Sequence, residues 1–215
     1  MALTRLLTWV SPSFPVGAFS YSHGLEWAVE ADGVTDRATL EAWIAHLLTD
    51  GSGRTDAMLC AAAWRAENVD ALAEIAELAR ALSPSTERAL ETDAQGAAFR
   101  AAIAVGWPDA GAAIPADAPY PVAVGAAARA AGLELEPTLI AFLHAFAANV
   151  ISAGLRAIPL GQSDGVRMVS ALEPVLIAAA AAAVAADPDD LGGFAPAADV
   201  ASLLHETQYT RLFRS

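Results

Sequence analysis

The strongest constraint on the fold of this chain is an uncharged segment of 18 residues, 138–155, that stops directly before Arg156. Its apolar side chains recur at helical spacing on more than one face, which is typical of a helix buried all round. The length approaches that of a membrane span, but His144 and Asn149 interrupt the apolar composition. A second apolar run, residues 175–186, is too short to cross a bilayer. We therefore expect no membrane span, and helices buried in the core or by a second subunit.

Helical periodicity also dominates the rest of the chain, and no alternating strand pattern competes with it. The clearest stripe begins after the capping residues Thr35 and Asp36. It consists of Leu40, Trp43, Ile44, Leu47 and Leu48. Apolar spacing and Gly or Pro breaks predict the other helices at residues 3–10, 20–31, 54–66, 69–81, 83–105, 121–131, 137–156 and 164–185. The chain is predicted to be all-α, a single helical-bundle-like domain of about eight to ten helices.

Breaks between these helices suggest how the chain is organised. Residues 107–119 contain three prolines and form a linker-like stretch, which we expect to separate two helical layers within one domain. Ser83 and Pro84 predict a helix start, with Ser as the N-cap and Pro at the first helical position. We divide the chain into an all-helical domain, residues 1–204, and a C-terminal segment, residues 205–215, that serves as a docking tail.

Composition excludes several classes of function and indicates a compartment. The net charge of -13 argues against a nucleic-acid ligand. All 12 basic residues are Arg, so no lysine is available for Schiff-base or phosphate-loop chemistry. The single cysteine, Cys60, allows no internal disulfide, and the first residues lack a signal-peptide pattern. These features predict a cytoplasmic location.

No catalytic or metal-binding pattern stands out, and no cofactor is expected. The four histidines are scattered without metal-ligand spacing to one another or to Cys60. Glu87 and Glu91 share a helix face at i, i+4, which we interpret as favourable charge near a helix N-terminus rather than acid–base machinery. One enzymatic alternative stays open: a hydrolase using Ser20 and His23, with Glu26 at the same helical spacing.

The C-terminal segment is unusual for a chain end because it combines Tyr209, Arg211, Leu212, Phe213 and Arg214. Aromatic and Arg side chains are the residue types that dominate binding hot spots. The segment therefore predicts a docking element, and the alternative is a last helical turn packed on its own core.

Five ordered motifs resemble those of the UreF family of urease accessory proteins, and together they span nearly the whole chain. The first runs from Ser11 to Glu26, with the sequence SPSFPVGAFSYSHGLE. The others are ERALET with Gln95 and Gly96, residues 87–96; YPVAVG, residues 120–125; the stretch from Arg156 to Gly165; and HETQYTRLFRS, residues 205–215.

The resemblance implies an all-helical protein that forms a homodimer and is not an enzyme. It implies binding to a UreD-type protein, called UreH in some systems, and recruitment of the GTPase UreG. Through this complex the urease apoprotein would receive nickel in a GTP-dependent step. A generic helical interaction module unrelated to nickel is the other non-enzymatic alternative.

The resemblance also implies roles for individual residues. The C-terminal segment resembles the part of UreF that becomes ordered on the UreD partner. Gln162 resembles a position that lines an internal path for nickel, and such a path needs weak, transient polar ligands rather than a tight metal site. The residues expected to bind partners are Ser20, Tyr21, His23, Glu26, Arg156, Gln162, His205, Glu206, Tyr209, Arg211, Leu212, Phe213 and Arg214.

Overall fold

The computed structural model describes residues 1–215, apart from the side chain of Pro188. Eleven α-helices follow one another along the chain, and two short 3₁₀ turns lie at Ala18–Ser20 and Pro188–Asp190. The helices are α1 Ala2–Trp9, α2 Leu25–Glu30, α3 Arg37–Thr49, α4 Ser52–Arg65, α5 Val69–Ala81, α6 Thr86–Gly106, α7 Pro108–Ala112, α8 Tyr120–Ala130, α9 Leu135–Ala157, α10 Gln162–Ala185 and α11 Pro196–His205. None of the described residues lies in a β-strand, and the all-α prediction is confirmed.

The core is built around α9, as the uncharged segment predicted. Leu139, Leu143 and Val150 on this helix are fully buried, and α9 packs against α2, α3, α4 and α10. The tightest helix pair is α4 with α8. A Cβ atom at Gly125 of α8 would lie 2.3 Å from the backbone oxygen of Cys60, so only glycine permits this approach. The alanine-rich sequence is thus used for close helix packing.

Two predicted helix starts are wrong, each for a local reason. The predicted helix 20–31 is interrupted, since His23 and Gly24 have positive φ angles of 57° and 74°, and α2 begins only at Leu25. The predicted start at Ser83 lies too early. Ser85 caps α6 instead, because its side chain accepts the backbone N–H of Arg88.

The linker-like stretch, residues 107–119, is partly helical. It contains α7, which begins with Pro108 and folds back on the end of α6. Gly111 makes this contact possible, because a Cβ there would lie 2.7 Å from the Cα of Ala104. With this five-residue helix set aside, ten helices remain, within the predicted number.

Helix α11 was not predicted. It opens with Pro196 and buries Ala198, Ala201 and Ser202 at helical spacing against α2 and α6. The run of small residues gave too weak an apolar signal, yet this helix delivers the C-terminal segment to its site.

Two helices, α9 and α10, are long and apolar enough to cross a membrane by length and composition alone. They differ in burial: 56% of the most apolar window of α9 is buried in the domain, but only 28% of that of α10. Helix α9 therefore has the burial of a core helix, and α10 leaves a partly apolar face uncovered.

Candidate partner-docking site

The C-terminal segment returns to the domain and lies along the loop that precedes α2. The backbone N–H of Arg214 donates to the carbonyl of Ser20 at 2.8 Å. The backbone N–H and the hydroxyl of Ser22 both donate to the backbone oxygen of Ser215, at 2.7 and 2.5 Å. Three hydrogen bonds thus join two parts of the chain that are about 190 residues apart in sequence.

Glu26, in the first turn of α2, holds the middle of the segment. One carboxylate oxygen accepts the backbone N–H of Leu212 at 2.6 Å, and the other accepts that of Phe213 at 3.0 Å. The second oxygen also lies 3.1 Å from Nε2 of His205. Because Glu26 is buried, these charge-assisted hydrogen bonds replace its lost contacts with water.

A second carboxylate, Glu87 in the first turn of α6, binds two side chains of the segment. One oxygen lies 2.6 Å from Nδ1 of the fully buried His205, and the other accepts from Arg211 at 2.5 Å. In a further contact the acceptor belongs to the segment and the donor to α6: the carboxylate of Glu206 accepts the backbone N–H of Thr86 at 2.7 Å. A carboxylate at this position stabilises the N-terminus of α6.

A third carboxylate, Glu91, is buried one helical turn further along α6. One of its oxygens accepts the hydroxyl of Ser215 at 2.5 Å and pairs with Arg88. The other lies 3.4 Å from Nε2 of His23 and accepts from the side-chain amide of Gln95 at 2.9 Å. Burial alone would raise the pKa of Glu91, but the charge of Arg88, with hydrogen bonds from Arg88 and Ser215, holds it below its ordinary value.

The other buried groups beside Glu91 are perturbed as well. Burial, followed by the charge of Arg88, lowers the pKa of His23 to about 4, so this imidazole is neutral at pH 7. Burial raises the pKa of Asp56 on α4 to about 6, although Arg88 opposes that shift. A carboxylate oxygen of Asp56 lies 3.6 Å from the guanidinium of Arg88, which also pairs with Glu91, so Asp56 and Glu91 share one guanidinium.

Arg156, at the end of α9, fixes the segment from the other side. Its guanidinium lies 3.7 Å from the ring centre of Phe19 and 4.3 Å from that of Phe213. It also donates to the carbonyl of Phe19 at 2.8 Å. This arrangement joins the loop, the end of α9 and the segment through cation–π contacts.

The segment consequently has an inward and an outward face. Phe213 and Ser215 are buried, whereas Tyr209 is fully exposed, Leu212 is 70% exposed and Arg214 faces solvent. Phe19 is also exposed over 64% of its surface. Aromatic, aliphatic and Arg side chains are therefore displayed on a support that is itself held by buried carboxylates.

Most of the residues predicted to bind partners meet at this site. The carbonyl of Ser20, the carboxylate of Glu26 and the guanidinium of Arg156 each contact the C-terminal segment directly, and His23 joins through Glu91. One predicted residue, Gln162, lies elsewhere, exposed as the first residue of α10. Tyr21 lies in the same loop between Ser20 and Ser22, but its side chain is buried and its carbonyl accepts from Asn149.

Five residues that receive the segment are absent from the predicted partner-binding set: Phe19, Ser22, Glu87, Arg88 and Glu91. Glu87 lies in the first turn of α6, as its predicted role near a helix N-terminus requires, and both Glu87 and Glu91 also accept hydrogen bonds from the segment. A usable signal is the position of Glu91, which lies beyond the first turn of α6 and so outside the range of the helix-terminus charge. The hydrolase alternative also loses its premise, because Ser20, His23 and Glu26 do not share a helix face.

A cavity of about 210 Å³ lies behind the site, between the loop before α2, α6 and α9. Its walls include Phe19, His23, Arg88, Glu91 and Tyr120. A second cavity of about 310 Å³, beside α4 and the start of α6, shares Asp56, Arg88 and Thr92 with the first. Among the described residues, no group of three or more His, Cys, Asp or Glu side chains is arranged to hold a metal ion.

Comparisons with known proteins agree with the motifs. The family model described as UreF matches residues 34–173. The urease accessory protein UreF of Rhodopseudomonas palustris (strain BisB18) is 56% identical over 222 aligned residues, covering 100% of this chain and 92% of the relative. That of Bradyrhizobium sp. (strain ORS 278) is 54% identical over 221 aligned residues, with the same coverage.

These full-length matches include both ends of the chain, which lie outside the match to the family model. The loop before α2 and the C-terminal segment, which form the site, therefore align with the two UreF relatives, although the family model does not cover them. The relatives are named as accessory proteins and not as enzymes, in agreement with the prediction. From its sequence motifs, its all-α fold and these matches, the chain belongs to the UreF family of urease accessory proteins.

Proposed function

We propose that this chain acts in urease maturation as a scaffold that bridges a UreD/UreH-type protein and the GTPase UreG. In this proposal the C-terminal segment is the docking element, and the complex regulates GTP-dependent delivery of nickel to the urease apoprotein. Nickel is cargo in this scheme and the chain itself performs no turnover.

The observation that carries the proposal is the two-faced C-terminal segment. Its inward contacts fix the backbone at Leu212 and Phe213, while Tyr209 and Leu212 project outward. Large exposed side chains on a fixed support lose little conformational entropy on binding. They are also the residue types that dominate interface energetics.

The chemistry of the surface indicates what it would recognise. Arg211 and Arg214 give the segment a local positive charge on a chain of net charge -13. We expect the bound partner to offer an apolar pocket for Tyr209 and Leu212, with carboxylates at the rim for Arg214, since Arg211 already pairs with Glu87. Complementary charge would favour fast association and correct orientation.

The test is complex formation, measured by size-exclusion chromatography with light scattering, using the cognate UreD-type and UreG-type proteins. The variant Tyr209→Ala/Leu212→Ala should bind the UreD-type protein at least about tenfold more weakly, the loss of about 1.4 kcal/mol expected for hot-spot residues. Val105→Ala is the matched control, because Val105 is 88% exposed at the far end of α6. Equal binding by both variants would contradict the docking role of the segment.

Activation of urease separates this scaffold from a generic helical interaction module. A chain that binds both accessory proteins but leaves nickel incorporation unchanged when deleted would support the generic alternative. A turnover assay on ester and amide substrates addresses the hydrolase alternative, for which no activity is expected.

Helix α10 supports the homodimer as a further part of the proposal. Val166 and Ile177 are 71% and 46% exposed, among several exposed alanines on the same helix. Burying this face against a second copy would remove apolar surface from water. Ile177→Glu should therefore yield a monomer in light scattering, whereas a dimer in that variant would exclude α10 as the interface.

The cytoplasmic location and the nickel path near Gln162 stay predictions. Gln162 is exposed at the start of α10, so in the isolated chain it would contact a passing ion at the surface and not on an internal path. Gln162→Ala should slow nickel incorporation without weakening binding of the UreD-type protein, and unchanged incorporation would contradict a role for this residue.

A further inference from the structure

The imidazole of His205, the last residue of α11, lies between two carboxylates. Its Nδ1 atom is 2.6 Å from an oxygen of Glu87 on α6, and its Nε2 atom is 3.1 Å from an oxygen of Glu26 on α2. The imidazole is fully buried, and both of its nitrogens are within hydrogen-bond distance of an acceptor. We call Glu26, His205 and Glu87 the Glu–His–Glu cluster.

The hydrogen bonds of this cluster require one proton more than two ionised carboxylates and a neutral imidazole provide. A neutral imidazole has one N–H group, and its other nitrogen carries a lone pair. That lone pair would face a carboxylate oxygen in the interior with no proton between the two acceptors, which is costly. A second proton, on the imidazole or on the carboxyl that it faces, turns both contacts into hydrogen bonds. Because the three groups interact strongly, this proton belongs to the cluster as a whole.

Both carboxylates of the cluster also hold the C-terminal segment. The oxygens of Glu26 accept the backbone N–H groups of Leu212 and Phe213, and the second oxygen of Glu87 accepts from Arg211. A carboxylate that is repelled by the imidazole lone pair would move away and weaken these bonds. Loss of the second proton would therefore be felt at the segment.

We propose that the Glu–His–Glu cluster is a pH-sensitive latch, which holds the C-terminal segment while it keeps its second proton and loosens the segment when that proton is lost. The sign follows from linkage. The chain with its segment held binds more protons than the chain with its segment loosened, so a lower pH favours the held state and a higher pH disfavours it.

The charged groups that face the imidazole come from all three elements packed against it. Glu26 belongs to α2, Glu87 to α6, and Arg211 to the segment, where it pairs with Glu87. Arg211 stays charged wherever histidine and carboxyl groups titrate, and it donates to the oxygen of Glu87 that does not face the imidazole. It therefore cannot replace the second proton. Arg88 and Glu91, the next charged residues of α6, form their own ion pair.

The latch is a property of the isolated chain and goes beyond the proposed function. A partner that binds the held segment would bind more tightly at lower pH, and one that binds the loosened segment more tightly at higher pH. The latch is measured without any partner, so it and the docking role can fail separately.

The experiment is NMR on the isolated chain from about pH 6 to about pH 9, a range in which a histidine can change its protonation state. Hydrogen exchange of the Leu212 and Phe213 amides is expressed as a protection factor, which removes the intrinsic pH dependence of exchange. The imidazole signals of His205 are followed over the same range.

Glu87→Gln is the decisive variant. Its amide oxygen can still accept from Arg211, while its NH₂ group can donate to the lone pair of a neutral imidazole, so the second proton is no longer needed. Glu30→Gln is the matched control. It removes the same charge from an exposed carboxylate that accepts from Gln208 of the segment and does not belong to the cluster.

In the wild type and in Glu30→Gln we expect the protection factors of Leu212 and Phe213 to fall by about tenfold or more over this range, since one bound proton changes the equilibrium by up to about tenfold per pH unit. The fall should follow the His205 signals. In Glu87→Gln the protection factors should stay constant. A constant protection in the wild type, or an equal fall in Glu87→Gln, would overturn the latch. Loss of protection at every pH in Glu87→Gln would also overturn it, because the charge of Glu87 and not the proton would then hold the segment.

Discussion

The core around α9 and the group of carboxylates that binds the C-terminal segment (Glu26, Glu87 and Glu91, called the receptor below) both lie within the domain, but different interactions stabilise them. Leu139, Leu143 and Val150 of α9 are buried among apolar neighbours. The receptor instead places the carboxylates of Glu26 and Glu91 in the interior and satisfies them with donors from the chain end. Apolar burial stabilises the whole domain, whereas hydrogen bonds to buried carboxylates specify one position of one segment.

The largest effect is expected in the core. Leu143→Ala should lower the free energy of unfolding by about 2–5 kcal/mol, because it leaves a cavity in the fully buried part of α9. Denaturant unfolding followed by circular dichroism measures this loss. A change below about 1 kcal/mol would mean that α9 is not the centre of the core.

A pH comparison tests the buried charges next. For His23 the folded pKa of about 4 lies below 6.5, so the unfolded chain binds protons first and stability falls as pH drops across that range. For Asp56 the folded pKa of about 6 lies above 3.8, so the folded chain binds protons first, and stability rises as the pH drops from about 6 to 3.8. The two contributions oppose each other.

Asp56→Asn should therefore leave the contribution of His23 to the pH dependence of stability without its opposing term. Between pH 6.5 and pH 4 the variant should lose about 1–3 kcal/mol more of its unfolding free energy than the wild type does. Other carboxylates contribute to both proteins and cancel in the difference. Parallel stability curves for the two proteins would contradict the opposed shifts.

The receptor should respond locally rather than globally. In Glu26→Gln, an amide NH₂ replaces one of the two carboxylate oxygens. One oxygen accepts from Leu212 and the other from Phe213 and His205, so either replacement should destabilise the bound position of the segment by about 1–2 kcal/mol. We expect faster hydrogen exchange in residues 205–215 with little change in the melting of the helices. A cooperative loss of the whole fold would mean that the receptor and the core are a single unit.

The smallest effect is expected at the surface. Glu41→Gln breaks the partly exposed i, i+4 ion pair with Arg37 and should change the free energy of unfolding by less than about 0.5 kcal/mol. It is the charge-matched control for Glu26→Gln. An effect as large as that of Glu26→Gln would show that burial does not distinguish the two carboxylates.

The same contrast explains what the sequence could predict. Apolar periodicity revealed α3 and α9, because burial of an amphipathic or fully apolar helix leaves a local pattern. The receptor leaves no such pattern, since Glu26, Glu87 and Glu91 meet the chain end only through the fold. Local backbone features hid other elements: positive φ at His23 and Gly24 delays α2, and small residues obscured α11.

For the site, the sequence identified the C-terminal segment by residue type but could not assign its faces. Aromatic and Arg content predicted docking, and both Phe213 and Tyr209 fitted that description equally well. Only the structure separates Phe213, which is buried against the domain, from Tyr209, which is exposed.

The most direct test of this account is NMR-detected hydrogen exchange on the isolated chain at neutral pH. We expect slow exchange for the amides of Leu212 and Phe213, which donate to Glu26, and for that of Ser22, which donates to Ser215. The amide of Tyr209 should exchange rapidly. Rapid exchange at Leu212, Phe213 and Ser22 alike would mean that the segment is free until a partner binds, and would contradict a receptor built into the fold.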